Sequence, residues 1–448
     1  MEQKLFGTDG IRGVANEFPM TIELAMRLAM VLSTLICTGS RRVTIAKDTR
    51  LSGYMLEAAL TAGFTSMGVT VIKMGVVPTP LITSQIHELN VDMGVMITAS
   101  HNPAQDNGIK LIDSYGQKFS DEWTAQVEDM LKSDTKFSPS SYKIGRVFTD
   151  EKSIPAYMEN VLKIAPNFKA LQNLRLVIDC ANGAFSKIMP QIFKDLGAGV
   201  ITLSNIPNGE NINADCGSQH TENLQKTVME AHAHLGLAVD GDGDRLVVCD
   251  DKGQKIDGDQ IIAFLAAYLQ KIGRLRNNAV VTTVWSNTGL EKYLHRQGIY
   301  YYKTPVGERY VAEQMRKSGA ALGGEDSGHI VLADYANTGD GLIAGLMCCL
   351  ALKDDGRPAS QIFPIFRKYP AQTANIQFKS SEEALRVLNE EKVQTLLLQA
   401  KESLSDKGNI ILRASGTEPV LKLKVEAEDE LTARQVTERM VKELGQYQ

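Results

Sequence analysis

The chain has 448 residues, of which 43% are hydrophobic and 23% charged, and its formal net charge is −5. These proportions fit a soluble globular protein and exclude a disordered or highly basic one, and the mild acidity argues against broad nucleic-acid binding. The length exceeds what one ordinary core supports and predicts about three or four domains.

Lys4, Asp9, Arg12 and Glu17 interrupt the first twenty residues, so no apolar core of a secretory signal forms there. Three stretches then repeat one pattern: apolar strand, polar turn, helix, glycine, second strand. The first runs from strand 43–46 through helix 56–67 and Gly68 to strand 69–72. The second runs from 176–178 through 188–196 and Gly197 to 200–203, and the third from 280–281 through 290–297 and Gly298 to 299–302. A glycine roughly 20 positions beyond the first strand suits a βαβ crossover and marks the helix stop. The apolar stretch from Gly341 to Leu352 ends at Lys353 and is too short to cross a bilayer, so it predicts a buried helix. The last segment changes character, with a helix over 382–403, strands over 409–413 and 420–426, and a helix over 431–444. The fold class expected is α/β: three similar α/β domains with mixed sheets, followed by a C-terminal α+β domain. The boundaries drawn are 1–153, 154–255, 256–368 and 369–448. Six cysteines, at 37, 180, 216, 249, 348 and 349, form no CxxC pair and read as reduced thiols of a cytoplasmic protein.

Four motifs carry chemistry. Asp240-Gly241-Asp242-Gly243-Asp244-Arg245 lies between apolar runs 235–239 and 246–249. Three carboxylates so close repel unless water or a cation intervenes. They can share one magnesium only if the backbone curls, which Gly241 and Gly243 permit. A solvated acidic turn is the alternative. An EF-hand is excluded, because the positions needing glycine and glutamate hold Arg245 and Asp251. Ser100, in Thr98-Ala99-Ser100-His101-Asn102-Pro103, follows apolar run 93–97, and thus stands at a strand end where open α/β sheets build sites. Alone it reads more readily as an ordinary capping or turn serine. Lys110 follows closely in Asn107-Gly108-Ile109-Lys110. Gly323-Gly324-Glu325-Asp326-Ser327-Gly328-His329 offers a carboxylate, a hydroxyl and an imidazole suited to sugar hydroxyls, or to any polar loop. Arg413-Ala414-Ser415-Gly416-Thr417-Glu418-Pro419 joins two predicted strands as an anion nest or a decorated hairpin turn. The glycines of Gly7-Thr8-Asp9-Gly10-Ile11-Arg12-Gly13 do not follow a dinucleotide-binding order, and the loop presents Arg12.

Taken together and in this order, the serine turn, aspartate loop, Gly-Glu-x-Ser-Gly-His loop and Arg-x-Ser-Gly-Thr-Glu-Pro loop resemble the α-D-phosphohexomutase superfamily. One motif falls in each of the four segments, so the resemblance covers essentially the whole chain. Phe6 to Gly13 and Ile97 to Lys110 look like the branch acting on glucosamine phosphates. The resemblance implies four domains around a central cleft and a phosphorylated Ser100. It also implies one magnesium ion bound by Asp240, Asp242, Asp244 and a phosphoserine oxygen, with a sugar 1,6-bisphosphate as intermediate and activator. Arg12, Lys110, Arg245 and His329 are the implied catalytic residues, with Lys110 and His329 the candidate acid and base. Glu325 and Ser327 would hold sugar hydroxyls, and Arg413, Ser415, Gly416 and Thr417 a phosphate. The expected partner is a small hexosamine phosphate, with no nucleic acid or membrane and a monomer or homodimer as the assembly. A mutase for glucose or mannose phosphates is the alternative, and a non-catalytic binder of metal and sugar phosphate the remote one. Asp326, Glu308, Lys422 and Lys424 depart from the usual pattern of that branch, but none is a nucleophile or metal ligand.

Overall fold

Three of the four sheets share one topology. In the computed structural model, residues 5–7, 9–35, 39–137, 141–415 and 419–447 are described; Thr8, Cys37, Gly416 and Thr417 lie outside them. The first sheet contains β1 (Ile11–Val14), β2 (Arg42–Lys47), β3 (Thr70–Val76), β4 (Met93–Ile97), β5 (Asp106–Ile112) and β6 (Val147–Thr149). The second contains β7 (Arg175–Asp179), β8 (Gly199–Leu203), β9 (Leu235–Val239), β10 (Leu246–Asp250) and β11 (Lys255–Ile256). The third contains β12 (Ala279–Thr283), β13 (Tyr300–Thr304), β14 (Leu322–Gly324) and β15 (Ile330–Leu332). The fourth contains β16 (Ala371–Gln377), β17 (Gly408–Ala414) and β18 (Val420–Ala427).

The strand orders are β1-β5-β4-β2-β3-β6, β11-β10-β9-β7-β8 and β13-β12-β14-β15. Within each sits the same four-strand unit: β5-β4-β2-β3, β10-β9-β7-β8 and β15-β14-β12-β13. The predicted crossovers are parallel pairs, β2 with β3, β7 with β8 and β12 with β13. Gly68, Gly197 and Gly298 end the crossover helices with positive φ, the backbone state that glycine adopts without a Cβ penalty. The third and fourth strands of each unit pair antiparallel. Sheets are thus mixed, as the fold class requires. The loop joining the third and fourth strands is topologically equivalent in all three, and it carries Ser100, the three aspartates and His329 in turn.

One hydrophobic core runs through the first three domains, from Ala46 and Leu81 through Ile178 and Leu237 to Leu346 and Phe366. A second cluster, including Ile45, Phe64 and Val95, fills the other face of the first sheet. The fourth domain has its own core around Val387, Leu423, Val425 and Met440. The helix Gly341–Asp355 is buried along most of its length, as its apolar run predicts. Among the described residues, no helix is long and apolar enough to cross a membrane.

Two details of the last domain differ from the sequence-based expectation. The single helix expected over 382–403 is two, Ser381–Leu388 and Glu391–Leu404. Glu390 is extended at φ −66°, ψ 134°, and Asn389 turns its side chain back onto the Leu385 carbonyl at 2.8 Å. Asparagine bonds its local backbone readily, and here that contact accompanies the break. The added strand β16 pairs antiparallel with β18 along its whole length. Its sequence, AQTANIQ, has few apolar residues and only Ile376 is fully buried, which is why periodicity does not reveal an edge strand.

Candidate active site

The three equivalent loops meet. Gly243 has φ +76° and its α-carbon lies so close to the Phe185 ring that a Cβ would come within 2.3 Å of it. At Gly241 a Cβ would meet Ser100 O at 2.7 Å. Only glycine lets the aspartate loop curl this tightly while the serine loop packs on it. The sugar loop is joined to the same curl: Leu246 N donates to Gly328 O at 2.9 Å, and Arg245 and His329 form an isolated antiparallel bridge.

Ser100 is buried in the left-handed region at φ +54°. For a non-glycine residue that conformation costs about 1–2 kcal/mol, and here surrounding bonds impose it. Ser100 N donates to Thr98 Oγ1 at 2.9 Å, and Ser100 O accepts from Asn213 Nδ2 at 2.8 Å and Arg50 Nη2 at 3.1 Å. Arg50 is itself fully buried, pairs with Asp48 at 2.9 Å, and donates to the carbonyls of Asn102, Pro103 and Asp106. A buried guanidinium thus braces the whole serine turn. The Ser100 hydroxyl donates to Asp240 Oδ2 at 2.6 Å.

Asp240, Asp242 and Asp244 are fully buried, and one carboxylate oxygen from each lies within 4.8 Å of the others. Burial, then repulsion from Asp244 and Asp242, pushes the Asp240 carboxyl above its ordinary range. Asp242 Oδ1 is buried without a hydrogen-bond partner. Hard carboxylate oxygens, close together and partly unsatisfied, fit a small divalent cation. Lys110 Nζ occupies the opposite side of the carboxylates, 2.7 Å from Asp242 Oδ2 and 2.8 Å from Asp244 Oδ2. Burial alone would lower its pKa, but Asp242, Asp244 and Asp9 raise it well above normal.

His329 Nε2 lies 3.0 Å from Asp244 Oδ1, and Nδ1 lies 3.2 Å from Glu325 Oε2. Burial is the strongest influence and disfavours the imidazolium, but the Asp244 charge together with the hydrogen bonds to Asp244 and Glu325 overcomes it and lifts the pKa to about 10. Asp244, Glu308 and His329 form a second close group, but Lys118 Nζ already sits 2.5 Å from Glu308 Oε2. Lys118 also reaches Asp9 Oδ1 at 2.5 Å, and Asp9 pairs with Arg12 and Lys110. This charge chain links the first domain's N-terminal loop to the third domain. Arg245 N donates to Asp240 Oδ1 at 3.2 Å, and its buried guanidinium Nε makes no hydrogen bond but lies 3.9 Å from Asp240 Oδ2.

The remaining expected residues are more open. Glu325 is buried and accepts from Gly307 N at 2.9 Å, whereas Ser327 is exposed. Arg413 is half-buried and stacks over the Trp285 ring at 5.1 Å. Burial lowers its pKa, and the charges of Glu325 and Asp326 oppose that shift. Ser415 is half-buried, while Gly416 and Thr417 are outside the described residues.

Ser100, Asp240, Asp242, Asp244, Lys110, Arg245 and His329 therefore converge, with Arg12 at the edge through Asn102 Oδ1 at 3.3 Å. Sequence reasoning missed Arg50 and Asp48, Asn213, and Thr79, whose hydroxyl donates to Asp242 Oδ2 at 2.5 Å. Asp48-Thr49-Arg50 carried a signal, as charged residues directly after an apolar strand. Asn213 and Thr79 carried none, because their partners are more than a hundred residues away.

Comparison with known proteins gives this architecture a family. Models described as phosphoglucomutase/phosphomannomutase alpha/beta/alpha domains I, II and III match residues 3–137, 155–253 and 257–369, and the C-terminal domain of the same description matches 375–443. The phosphoglucosamine mutase of Maricaulis maris is 46% identical over 436 residues, covering 96% of each chain. A phosphoglucomutase/phosphomannomutase family protein from Burkholderia thailandensis shares the fold at TM-score 0.84, 24% identity and coverage of 99% and 98%. Aspergillus fumigatus N-acetylphosphoglucosamine mutase, solved with GlcNAc-6P and magnesium, matches at TM-score 0.69 and 15% identity, covering 99% and 96%. With four domain models in order and a close relative matched from end to end, the chain belongs to the phosphoglucomutase/phosphomannomutase family, in its phosphoglucosamine mutase branch.

Proposed function

We propose that the protein interconverts glucosamine 6-phosphate and glucosamine 1-phosphate, supplying the amino sugar for UDP-N-acetylglucosamine and cell-wall precursors. Ser100 carries the phosphoryl group, and the sugar passes through a 1,6-bisphosphate that also serves as activator. The observation that carries this reading is the buried Ser100 hydroxyl, 2.6 Å from Asp240 in a loop of three converging carboxylates.

One magnesium ion fits Asp240, Asp242, Asp244 and a phosphoserine oxygen, where it would polarise the phosphoryl group. A phosphoserine brings close to two negative charges and the ion two positive ones, so together they leave the cluster's charge nearly unchanged. The cations around Ser100 are then available to the transferring group. Arg245, whose Nε makes no hydrogen bond, and Arg12 neutralise equatorial phosphoryl oxygens, where bidentate guanidinium contacts suit phosphate. Lys110 and His329 are both held protonated by carboxylates. Lys110 therefore acts as a fixed charge. His329, an imidazole between two carboxylates, gives and retakes the proton exchanged between the serine and sugar oxygens.

The sugar must present either end to Ser100 during one cycle. Glu325 and Ser327 hold ring hydroxyls, and Arg413, Ser415, Gly416 and Thr417 grip the phosphate not reacting. Domains bounded at 1–153, 154–255, 256–368 and 369–448 give each of these tasks its own unit, in a cytoplasmic enzyme.

Intact-mass measurement before and after a sugar bisphosphate tests the reading. The wild type gains one phosphate, and Ser100→Ala gains none and loses roughly 10⁴-fold or more in turnover. Equal phosphorylation of the variant would refute Ser100 as the acceptor. A glucosamine phosphate rate well below that for glucose or mannose phosphate would move the substrate to neutral hexoses.

A further inference from the structure

A cavity of about 780 Å³ lies apart from the catalytic cluster, in the seam between the third and fourth domains. One wall is the helix Thr288–Arg296 with β13, and the other is fourth-domain chain at Lys401, Asp406, Gly408 and Asn409. The connecting segment closes it with Arg367 and Tyr369. Ser100, the three aspartates, the sugar loop and Arg413 do not line it.

Its charge is opposite to that of the chain. Lys292, Arg296, Lys303, Arg367 and Lys401 line it against two carboxylates, Glu291 and Asp406, in a protein of net charge −5. Part of this charge is already matched: Lys303 pairs with Glu291 at 2.6 Å, and Lys292 Nζ donates to the Tyr369 hydroxyl and the Asp406 carbonyl. The rest is not. Among the described residues, the Arg296 side chain hydrogen-bonds only through Nε, to the Lys292 carbonyl at 3.3 Å, and the Arg367 side chain only to the Glu428 carbonyl at 3.2 Å. Lys401 has no hydrogen-bond or ion-pair partner among the described residues.

Like charges that outnumber their counter-charges repel, and a concave wall concentrates their field on whatever enters. Two guanidinium groups match phosphate oxygens, each in bidentate fashion, and the ammonium adds a third point of charge. The volume falls in the range of small-molecule sites and well exceeds that of one phosphate group. We propose that this seam binds a small organic diphosphate, of the size and charge of a nucleoside diphosphate, through Arg296, Arg367 and Lys401. A ligand there touches both domains at once and so bridges the seam.

Equilibrium binding of ADP to the full chain tests the site. Wild type binds ADP, more weakly as salt rises, and the double variant R296E/K401E binds roughly tenfold or more weakly. Arg413→Ala binds as wild type does, because Arg413 is outside the cavity. Both reversed residues are exposed, so melting temperature and mutase turnover without ADP stay at wild-type values. Undiminished binding by the double variant, loss of binding in Arg413→Ala, or no binding to wild type at millimolar ADP would each overturn the proposal.

Discussion

The serine–aspartate half of the site and the sugar–phosphate half are built differently. In the first, Ser100, Asp240, Asp242 and Asp244 on loops and Lys110 on β5 are buried in domains that share one continuous core, and the bond from the Ser100 hydroxyl to Asp240 ties the two loops together. In the second, Ser327 is exposed, Arg413 is half-buried, and the Arg413 loop belongs to a domain with its own core. That domain joins the third mainly through polar contacts, such as Glu426 with Asn287 and Thr288 and Lys292 with the Asp406 carbonyl. Phosphoryl transfer needs charge fixed before reaction, because reorganisation during the step would raise the barrier. A sugar that turns end for end needs room and a clamp that can let go. The two halves divide these requirements.

The strongest way to break the comparison is to loosen the rigid half from behind. Arg50→Met leaves Asp48 buried without its ionic partner and removes a donor from four carbonyls of the serine turn, of which those of Ser100 and Asn102 keep Asn213, and this costs about 3–5 kcal/mol. Chemical denaturation reads this as a lower midpoint. A midpoint equal to wild type would mean the turn holds itself. Next, Asp242→Asn keeps the shape and removes one carboxylate charge, and should lower kcat by about 10²–10³-fold while raising the magnesium needed for half-maximal rate. Unchanged magnesium dependence would remove Asp242 from the metal loop.

The open half should respond more gently and in a different parameter. Arg413→Ala loses charge-assisted bonds worth about 1.5–3 kcal/mol, or roughly 10–150-fold in kcat/KM, with Ser100 phosphorylation intact. Impaired phosphorylation of Ser100 would show that Arg413 belongs to the first half.

The smallest effect concerns the support behind the sugar loop. Asp259 is buried at the start of helix Gly258–Lys271, and burial, then the charges of Asp326 and Asp257, raise its pKa to about 7. Its folded pKa exceeds the unfolded value, so the unfolded chain gives up the proton first as pH rises. Stability from this group is full below about pH 4 and falls until about pH 7. Asp259→Asn keeps an acceptor for Asn287 N, and should raise the melting temperature by roughly 2 °C at pH 8 and not at pH 4. A gain equal at both pH values would exclude the ionisation as its cause.

Much of this was written locally. Apolar strands, helix lengths and the stops at Gly68, Gly197 and Gly298 specify three βαβ units, because they depend on backbone sterics and burial within about thirty residues. The aspartate loop was legible for the same reason: three carboxylates and two permissive glycines lie within six positions. Ser100 was legible only in the company of the other motifs. Tertiary structure alone decided that three equivalent loops meet, that Arg50 and Asn213 hold the serine turn, and that Lys118 joins Asp9 to Glu308. Those contacts cross domains or span tens to hundreds of residues, and periodicity has no reach over that distance. The charge states follow the same division. Lysine and histidine are ordinary titrating groups in sequence, and only the charges of Asp242, Asp244 and Asp9 hold Lys110 protonated against its burial, as Asp244 and Glu325 hold His329.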